Sequence, residues 1–443
     1  MDIALPLDYT PREYQLPAWN FFMEGGKRGV CVWHRRAGKD LLAINLIVTK
    51  AVQRTGLYWH LLPTYNQGRK IVWDGFTGDG KKFRDAFPKE LIKRQNNTDM
   101  RIEMTTGSIY QVVGTDEVDR LVGTNPIGCV FSEYSLHDPR AWDYIRPILS
   151  ENGGWALFIY TARGKNHGYT LLQMSKKRES WFSSTLTVED TFKPGGGRVI
   201  TEEAVEEERL SGMPPELILQ EFFVNFDAPI VGAYYSKQLR DLENKKRFTK
   251  VPYDPALVVH TGWDLGMSDT TCIWFFQEYG FEIRVIDYYE NSGEGLAHYK
   301  QVLNDRGYTY GRHYGPHDIT VRELGTGKSR LEVAKTLGMR FIVVDRHKVE
   351  DGIEATRNLL PMCYFDEENC SRGIEALRSY RKERDESKEQ KGADGNFEFF
   401  KSSPVHDWAS HPADAFRTYS WGRKKRKKQQ KRPEFAIDGH AYI

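Results

Sequence analysis

Cysteine is scarce in this 443-residue chain and scattered where it occurs, at Cys31, Cys129, Cys272, Cys363 and Cys370, with no C-x-x-C pair. That excludes a disulfide scaffold and a C-x-x-C metal or redox motif. Cys31, Cys129 and Cys272 lie in apolar runs that read as strands, so they are expected to be reduced packing residues of a cytosolic protein. No apolar run approaches the roughly 20 residues of a membrane span, and the N-terminal residues lack the basic-then-apolar order of a signal peptide. No internal repeat is found. Net charge is also small, at +2, but it is unevenly placed: residues 423–432 hold eight Lys and Arg and no acid, leaving a mildly acidic body. Such a tail suits contact with nucleic acid or an acidic partner, or serves solubility alone.

The chain does have ample apolar (40%) and aromatic (13%) residues, and it is too long for one ordinary core, so two domains are expected. The first is organised around residues 30–47. An apolar run, Val30-Cys31-Val32-Trp33, opens into His34-Arg35-Arg36-Ala37-Gly38-Lys39-Asp40, and an apolar segment of helical spacing follows. Strand, Gly-Lys turn and helix start make a phosphate-cradling loop: the helix N-terminus offers unpaired N–H groups, Gly38 admits a close backbone, and Lys39 reaches the β/γ-phosphates. Trp33 stands where G-x-x-x-x-G-K-[ST] has its first Gly, and Asp40 where it has the Mg²⁺-binding hydroxyl. A basic turn before a buried helix is the plainer alternative.

Other groups gather around this loop. Upstream, Tyr14-Gln15 is placed either to grip adenine, by stacking and a bidentate amide contact, or to sit in a capped surface helix. Downstream, Ile127-Gly128-Cys129-Val130-Phe131-Ser132-Glu133 is a buried strand ending in an acid. Parallel strands bring their C-terminal ends to the phosphate site, so Glu133 can orient the attacking water. Ser132 occupies the usual Asp position and can hold a Mg²⁺-bound water, with Asp40 supplying the missing carboxylate. The next strand, 155–160, ends at Thr161, which either senses the γ-phosphate or caps the following helix. Residues 181–227 change character, with a Gly-rich loop at 195–197 and a charged helix capped by Thr201, and read as a lid or spacer.

In the second half, residues 257–288 read as a three-strand meander whose first strand ends in Asp264. An acid there is the opening of a ribonuclease-H-like fold. Two-metal phosphodiester cleavage needs several carboxylates converging on two cations about 3.5–4 Å apart. Further candidates are Asp318, at the end of a strand-like step, and Asp407, His411 and Asp414, spaced i, i+4, i+7 on one helical face unless Pro412 marks the first turn. Gly325-Thr326-Gly327-Lys328-Ser329 reads as a basic loop touching a DNA backbone.

Gln15, the run from Arg35 to Asp40, Phe131-Ser132-Glu133-Tyr134 and Thr161-Ala162-Arg163-Gly164-Lys165-Asn166 together resemble the large subunit of tailed-phage terminases. The likeness runs in order along essentially the whole chain. It implies an α/β chain in four parts: a P-loop ATPase domain of the ASCE type (1–180), a lid or linker (181–250), a ribonuclease-H-like nuclease domain (251–421) and a basic, disordered tail (422–443). It implies Glu133 as catalytic glutamate, Thr161 in a coupling motif, and Arg35 or Arg36 stabilising transition-state charge. Asp264, Asp318 and Asp414 become the metal triad, the last matching an H-x-A-D-A pattern, with Asp407 in reserve. ATP and Mg²⁺ (or Mn²⁺ for cutting) are the implied cofactors. The implied partners are double-stranded DNA, a portal protein, a terminase small subunit and further copies in a ring, in the host cytoplasm and transiently at the procapsid portal. A helicase-like DNA remodeller with a non-cutting C-terminal domain is the alternative.

Overall fold

The computed structural model describes residues 5–116, 121, 123–227, 232–266, 270–322, 327–384 and 400–430. The chain divides into two compact units, with the boundary between residues 231 and 232. No described helix is long and apolar enough to cross a membrane.

The first unit is built on eight strands: β1 (Arg28–Trp33), β2 (Leu57–Leu62), β3 (Ile92–Asn96), β4 (Arg101–Met104), β5 (Ile109–Gly114), β6 (Pro126–Ser132), β7 (Trp155–Tyr160) and β8 (Trp181–Leu186). Their order across the sheet is β3-β4-β5-β2-β6-β7-β1-β8. From β5 to β8 every neighbour is parallel, while β3 and β4 extend one edge as antiparallel strands. β7 lies between β1 and β6, the ASCE arrangement. Both faces of a parallel sheet must be covered, so its strands are apolar throughout rather than alternating. In β1, Cys31 and Trp33 join a core with the helix Lys39–Gln53, while Val30 and Val32 pack on the other face with Phe131, Trp142 and Phe158. Parallel alignment sets the C-terminal ends of β1, β6 and β7 side by side, which is where the sequence carries its polar groups.

The expected connector, 181–250, is not one piece. Trp181–Leu186 pairs with β1 along six residues, because β1 would otherwise present an open edge. At the other end, the helix Ser236–Asn244 and the short strand β9 (Phe248–Thr249) belong to the second unit. What remains closes over a small apolar cluster of Val188, Val205, Ile218 and Phe222. Residues 228–231, next to the boundary between the units, lie outside the described residues.

The second unit contains β10 (Val259–Asp264), β11 (Thr271–Tyr279), β12 (Glu282–Asn291), β13 (Tyr310–Gly315), β14 (Phe341–Val343) and β15 (Cys363–Asp366). The sheet order is β14-β13-β10-β11-β12-β15-β9. β10, β11 and β12 form the antiparallel meander, and β13 then β14 add in parallel at the β10 edge. That is the ribonuclease-H-like order. A long helix, Ser410–Gln430, crosses one face of this sheet. It approaches closely because β10 carries Gly262: a Cβ there would lie 2.7 Å from both the Ala415 carbonyl and Tyr419 Cβ. The Tyr419 ring stacks on Phe276 at 3.7 Å, and Trp274 Nε1 donates to the Pro412 carbonyl at 2.8 Å. These contacts hold the helix start beside the end of β10.

The same helix overruns the expected tail boundary at 422. Residues 423–430 contain Lys, Arg and Gln, all good helix formers, and no Gly or Pro to stop it. Arg423, counted with the tail, is buried, and its Nε bonds Glu278 Oε1 at 3.0 Å. Residues 431–443 lie outside the described residues, as do 385–399 and 323–326, of which 325 and 326 belong to the expected basic loop. The last residue of that loop, Ser329, caps the helix Arg330–Thr336 in a capping box with Glu332.

Candidate active sites

The helix Lys39–Gln53 begins directly at the turn after β1, with Gly38 at φ +75° and Arg36 at φ +68° bending the loop back on itself. Lys39 is buried. Its Nζ donates to the Trp33 and His34 carbonyls at 3.0 Å each and to Thr161 Oγ1, at the end of β7, at 3.2 Å. Next to it, Ser132 Oγ at the end of β6 donates to Asp40 Oδ1 at 2.5 Å, and His60 Nε2 of β2 lies 3.7 Å from the same oxygen. Asp40, standing where the loop pattern has a hydroxyl, and Ser132, standing where the strand end has an Asp, are therefore bonded to each other. Carboxylate and hydroxyl oxygens together suit a hard cation such as Mg²⁺.

Glu133 follows β6 at φ +57°, a left-handed conformation costing about 1 kcal/mol for a residue with a Cβ. Its Oε2 is buried and has no hydrogen-bond partner among the described residues. Burial raises its carboxyl above the ordinary range; Lys39 and Arg163 pull against this, and Asp40 and Glu221 add to it. Lys39 is lowered by burial, with Glu133, Asp40 and Glu221 opposing. Asp40 is pushed up by burial but ends below its ordinary value, because His60, Ser132 and Lys39 favour the charged form. The result is a buried ammonium, a bonded carboxylate–hydroxyl pair and one unsatisfied carboxylate at adjacent strand ends. This is a constellation able to bind phosphates and activate water.

Gln15 is drawn to the loop, but not with a free amide. Its Oε1 accepts from Tyr9 Oη and the Arg12 amide at 3.0 Å each, and its Nε2 donates to the Ala37 and Gly38 carbonyls at 3.3 and 3.2 Å. Tyr14 Oη adds a bond to the Ala37 carbonyl at 2.9 Å. Both ends of the amide are bonded inside the protein, where it braces the loop. Arg35 and Arg36 carry exposed side chains. The arginine that faces inward is Arg163, whose Nη1 lies 2.7 Å from Glu221 Oε1. Arg163 stands in a motif the sequence made visible. Glu221 could not be told from the solvated glutamates at 202–208, and nothing local marked His60.

In the second unit, Asp264 ends β10, and His411 and Asp414 occupy the first turns of the crossing helix. His411 Nδ1 lies 2.9 Å from Asp264 Oδ2, and Arg417 Nη2 lies 3.1 Å from Asp414 Oδ1. Burial pushes Asp414 up to about 6; Arg417 opposes this, and the neighbouring charge of Asp264 reinforces it. Two carboxylates are thus forced together in a partly dry place. That fits divalent cations, which would add positive charge to that of Arg417 beside the pair.

Asp318 does not complete a closed set. Parallel pairing of β13 with β10 matches Tyr314 to Gly262, so Asp318, on the turn just after β13, comes to the same sheet edge as Asp264, but exposed. Among the described residues no three or more His, Cys, Asp or Glu side chains form a ready metal-binding group. Asp407 is not on the face of His411 and Asp414, because the helix starts only at Ser410. Its carboxylate takes Arg381 Nη1 at 2.9 Å and the Ala409 amide at 3.0 Å, which uses it as an ion-pair partner and turn former.

No family model matches the chain. It is 23% identical over 439 residues to the terminase large subunit of Escherichia phage T5, covering 94% of this chain and 92% of that protein. To the terminase large subunit of Thermus phage G20c it is 25% identical over 184 residues, 38% of this chain and 37% of the other. Among solved structures, the large terminase of a thermophilic bacteriophage in complex with ADP aligns over 93% of this chain and 98% of its own. The identity there is 14% and the TM-score 0.42.

Proposed function

We propose, for a chain that resembles phage terminase large subunits along nearly its whole length, a DNA-packaging motor that also cuts its substrate. ATP hydrolysis in the first unit drives double-stranded DNA into a procapsid, and the second unit cleaves concatemeric DNA with divalent cations. The observation that carries the motor reading is Glu133: a carboxylate whose Oε2 is buried without a hydrogen-bond partner among the described residues, held in a costly backbone conformation beside Lys39.

Lys39 would exchange its carbonyl partners for the β/γ-phosphates of ATP, and Glu133 would take the proton of the attacking water. Thr161, released by Lys39, would face the γ-phosphate. Asp40 and Ser132 would hold Mg²⁺, which screens phosphate charge when bound. Arg35 or Arg36, exposed on the loop, would stabilise transition-state charge. In the second unit Asp264 and Asp414 would hold the cations, with Asp318 joining from the neighbouring strand end; the cations supply a lowered water pKa and charge for the leaving oxygen. DNA contacts would be mainly to phosphates, since a packaging motor accepts any sequence. A portal protein, a small subunit and further copies of the chain in a ring are the expected partners, at the procapsid portal in the host cytoplasm.

One observation favours the alternative of a remodelling ATPase that does not cut: Asp318 stands exposed, and among the described residues no three or more His, Cys, Asp or Glu side chains form a ready metal-binding group. Two assays separate the readings. DNA-stimulated ATP hydrolysis should vanish in Lys39→Ala; if it persists, the motor reading fails. Plasmid nicking in Mn²⁺ should be present and lost in Asp264→Ala; nicking that is absent, or equal in both, leaves only the ATPase.

A further inference from the structure

The helix Pro215–Glu221 ends against the phosphate site and grips it in two ways. The Glu221 carbonyl accepts the Arg35 amide at 2.8 Å, and the Glu221 carboxylate holds Arg163, two residues beyond Thr161. Glu221 is 1% exposed, at the C-terminal end of its helix, where the macrodipole disfavours a negative charge. A carboxylate is tolerated there only because a cation meets it. Neighbouring bonds tie the same region down: the His34 amide donates to the Leu186 carbonyl at 2.9 Å, and His34 Nε2 bonds Thr191 Oγ1 at 2.7 Å. From Glu221 the chain runs straight into Phe222, which packs with Val188, Val205 and Ile218 in the small cluster beside the sheet. Arg163 is thus ion-paired to this helix and also within electrostatic reach of Glu133.

We propose that Arg163 is a positioning residue shared between Glu133 and Glu221, through which the state of the nucleotide site sets the position of the helix Pro215–Glu221. Incoming phosphates would compete with Glu221 for the guanidinium. As Arg163 turns toward the phosphates and Glu133, its hold on Glu221 loosens, and the helix with its apolar cluster is freed to shift. After phosphate leaves, the pair re-forms. The step moves no proton and breaks no covalent bond; it exchanges one ion pair for another within the first unit.

This rests on the ATPase reading above, and the test separates the two. Steady-state ATP hydrolysis with DNA is measured on the full chain for Arg163→Ala, Glu221→Gln and the double variant, with Arg163→Lys as the charge-keeping control. Each single variant should lower kcat about tenfold with KM nearly unchanged, and Arg163→Lys should recover part of the loss. The double variant should be no slower than the slower single one, since both remove the same interaction. Effects that multiply, or a rise in KM at unchanged kcat, overturn the proposal. Should Arg163→Ala not fold, Arg163→Lys and Glu221→Asp carry the same cycle. No hydrolysis by the unsubstituted chain overturns the ATPase reading and this pair with it, whereas normal hydrolysis with multiplying effects overturns the pair alone.

Discussion

The two candidate sites are assembled by opposite means. In the first unit Lys39, Asp40, Ser132, Glu133 and Thr161 come from the ends of adjacent parallel strands or the helix that follows one, and Lys39 bonds Thr161 while Ser132 bonds Asp40. In the second unit Asp264 and Asp414 meet only because a helix from far along the sequence lies down on Gly262, and the third acid remains apart at the sheet edge. Like charges do not gather unaided, so this site depends on what it binds. A preorganised site should fail through loss of individual side chains, a ligand-completed one through loss of its cations.

The sharpest way to break that contrast is to disable one site and look for an effect at the other. Glu133→Gln should cut ATP hydrolysis by roughly 10²–10⁴-fold while Mn²⁺-dependent nicking stays at the level of the unsubstituted chain. Joint loss of both activities in that variant would mean the sites are not separable.

Acid should separate the units next. His34 and His137 are fully buried in the first unit, and burial lowers them to about 4 and about 3. Between those values and 6.5 the unfolded chain binds protons that the folded one refuses. The stabilisation is therefore complete above pH 6.5 and is lost as pH falls, by roughly 3 kcal/mol for His34 and somewhat more for His137. Asp414 runs the other way: raised to about 6, its contribution is present at low pH and disappears as pH rises through 6. Calorimetric unfolding between pH 7.5 and 4.5 should show the first unit weakening, with a flatter slope in His34→Gln; an unchanged slope would refute the assignment.

Cations should then act on the second unit. Free Mn²⁺ at about 100 times its Kd should stabilise by about 2.7 kcal/mol, and Asp264→Asn or Asp414→Asn should remove most of that gain. Smallest is Asp407→Ala: a loss of about 1.5 kcal/mol from the broken Arg381 pair, with nicking per folded molecule unchanged. A nuclease defect beyond the stability loss would return Asp407 to the ligand set.

The same contrast explains what the sequence made legible. The candidate phosphate site stood out because parallel sheets put polar groups at strand ends, so Lys39, Ser132, Glu133 and Thr161 are marked by position after apolar runs, and Asp264 is marked in the same way. Asp407 misled because helical spacing counts residues without saying where a helix begins, and Pro412 with the Asp407 turn delays the start to Ser410. Gln15 was placed near the loop correctly, but hydrogen-bond saturation is a property of three-dimensional neighbours and leaves no local trace. Glu221 and His60 were invisible for that reason too. The connector was misjudged because an edge strand such as Trp181–Leu186, with mixed polarity, looks like a spacer until its partner is known.

The three acceptors around Lys39 have a bearing on idling. With two carbonyls and the Thr161 hydroxyl already within reach, the ammonium does not need a triphosphate to stay satisfied. On the ATPase reading proposed above, a loop held this way would stay shaped between turnovers, so each new triphosphate would meet a seat already formed and spend its binding on displacement instead of on folding the loop.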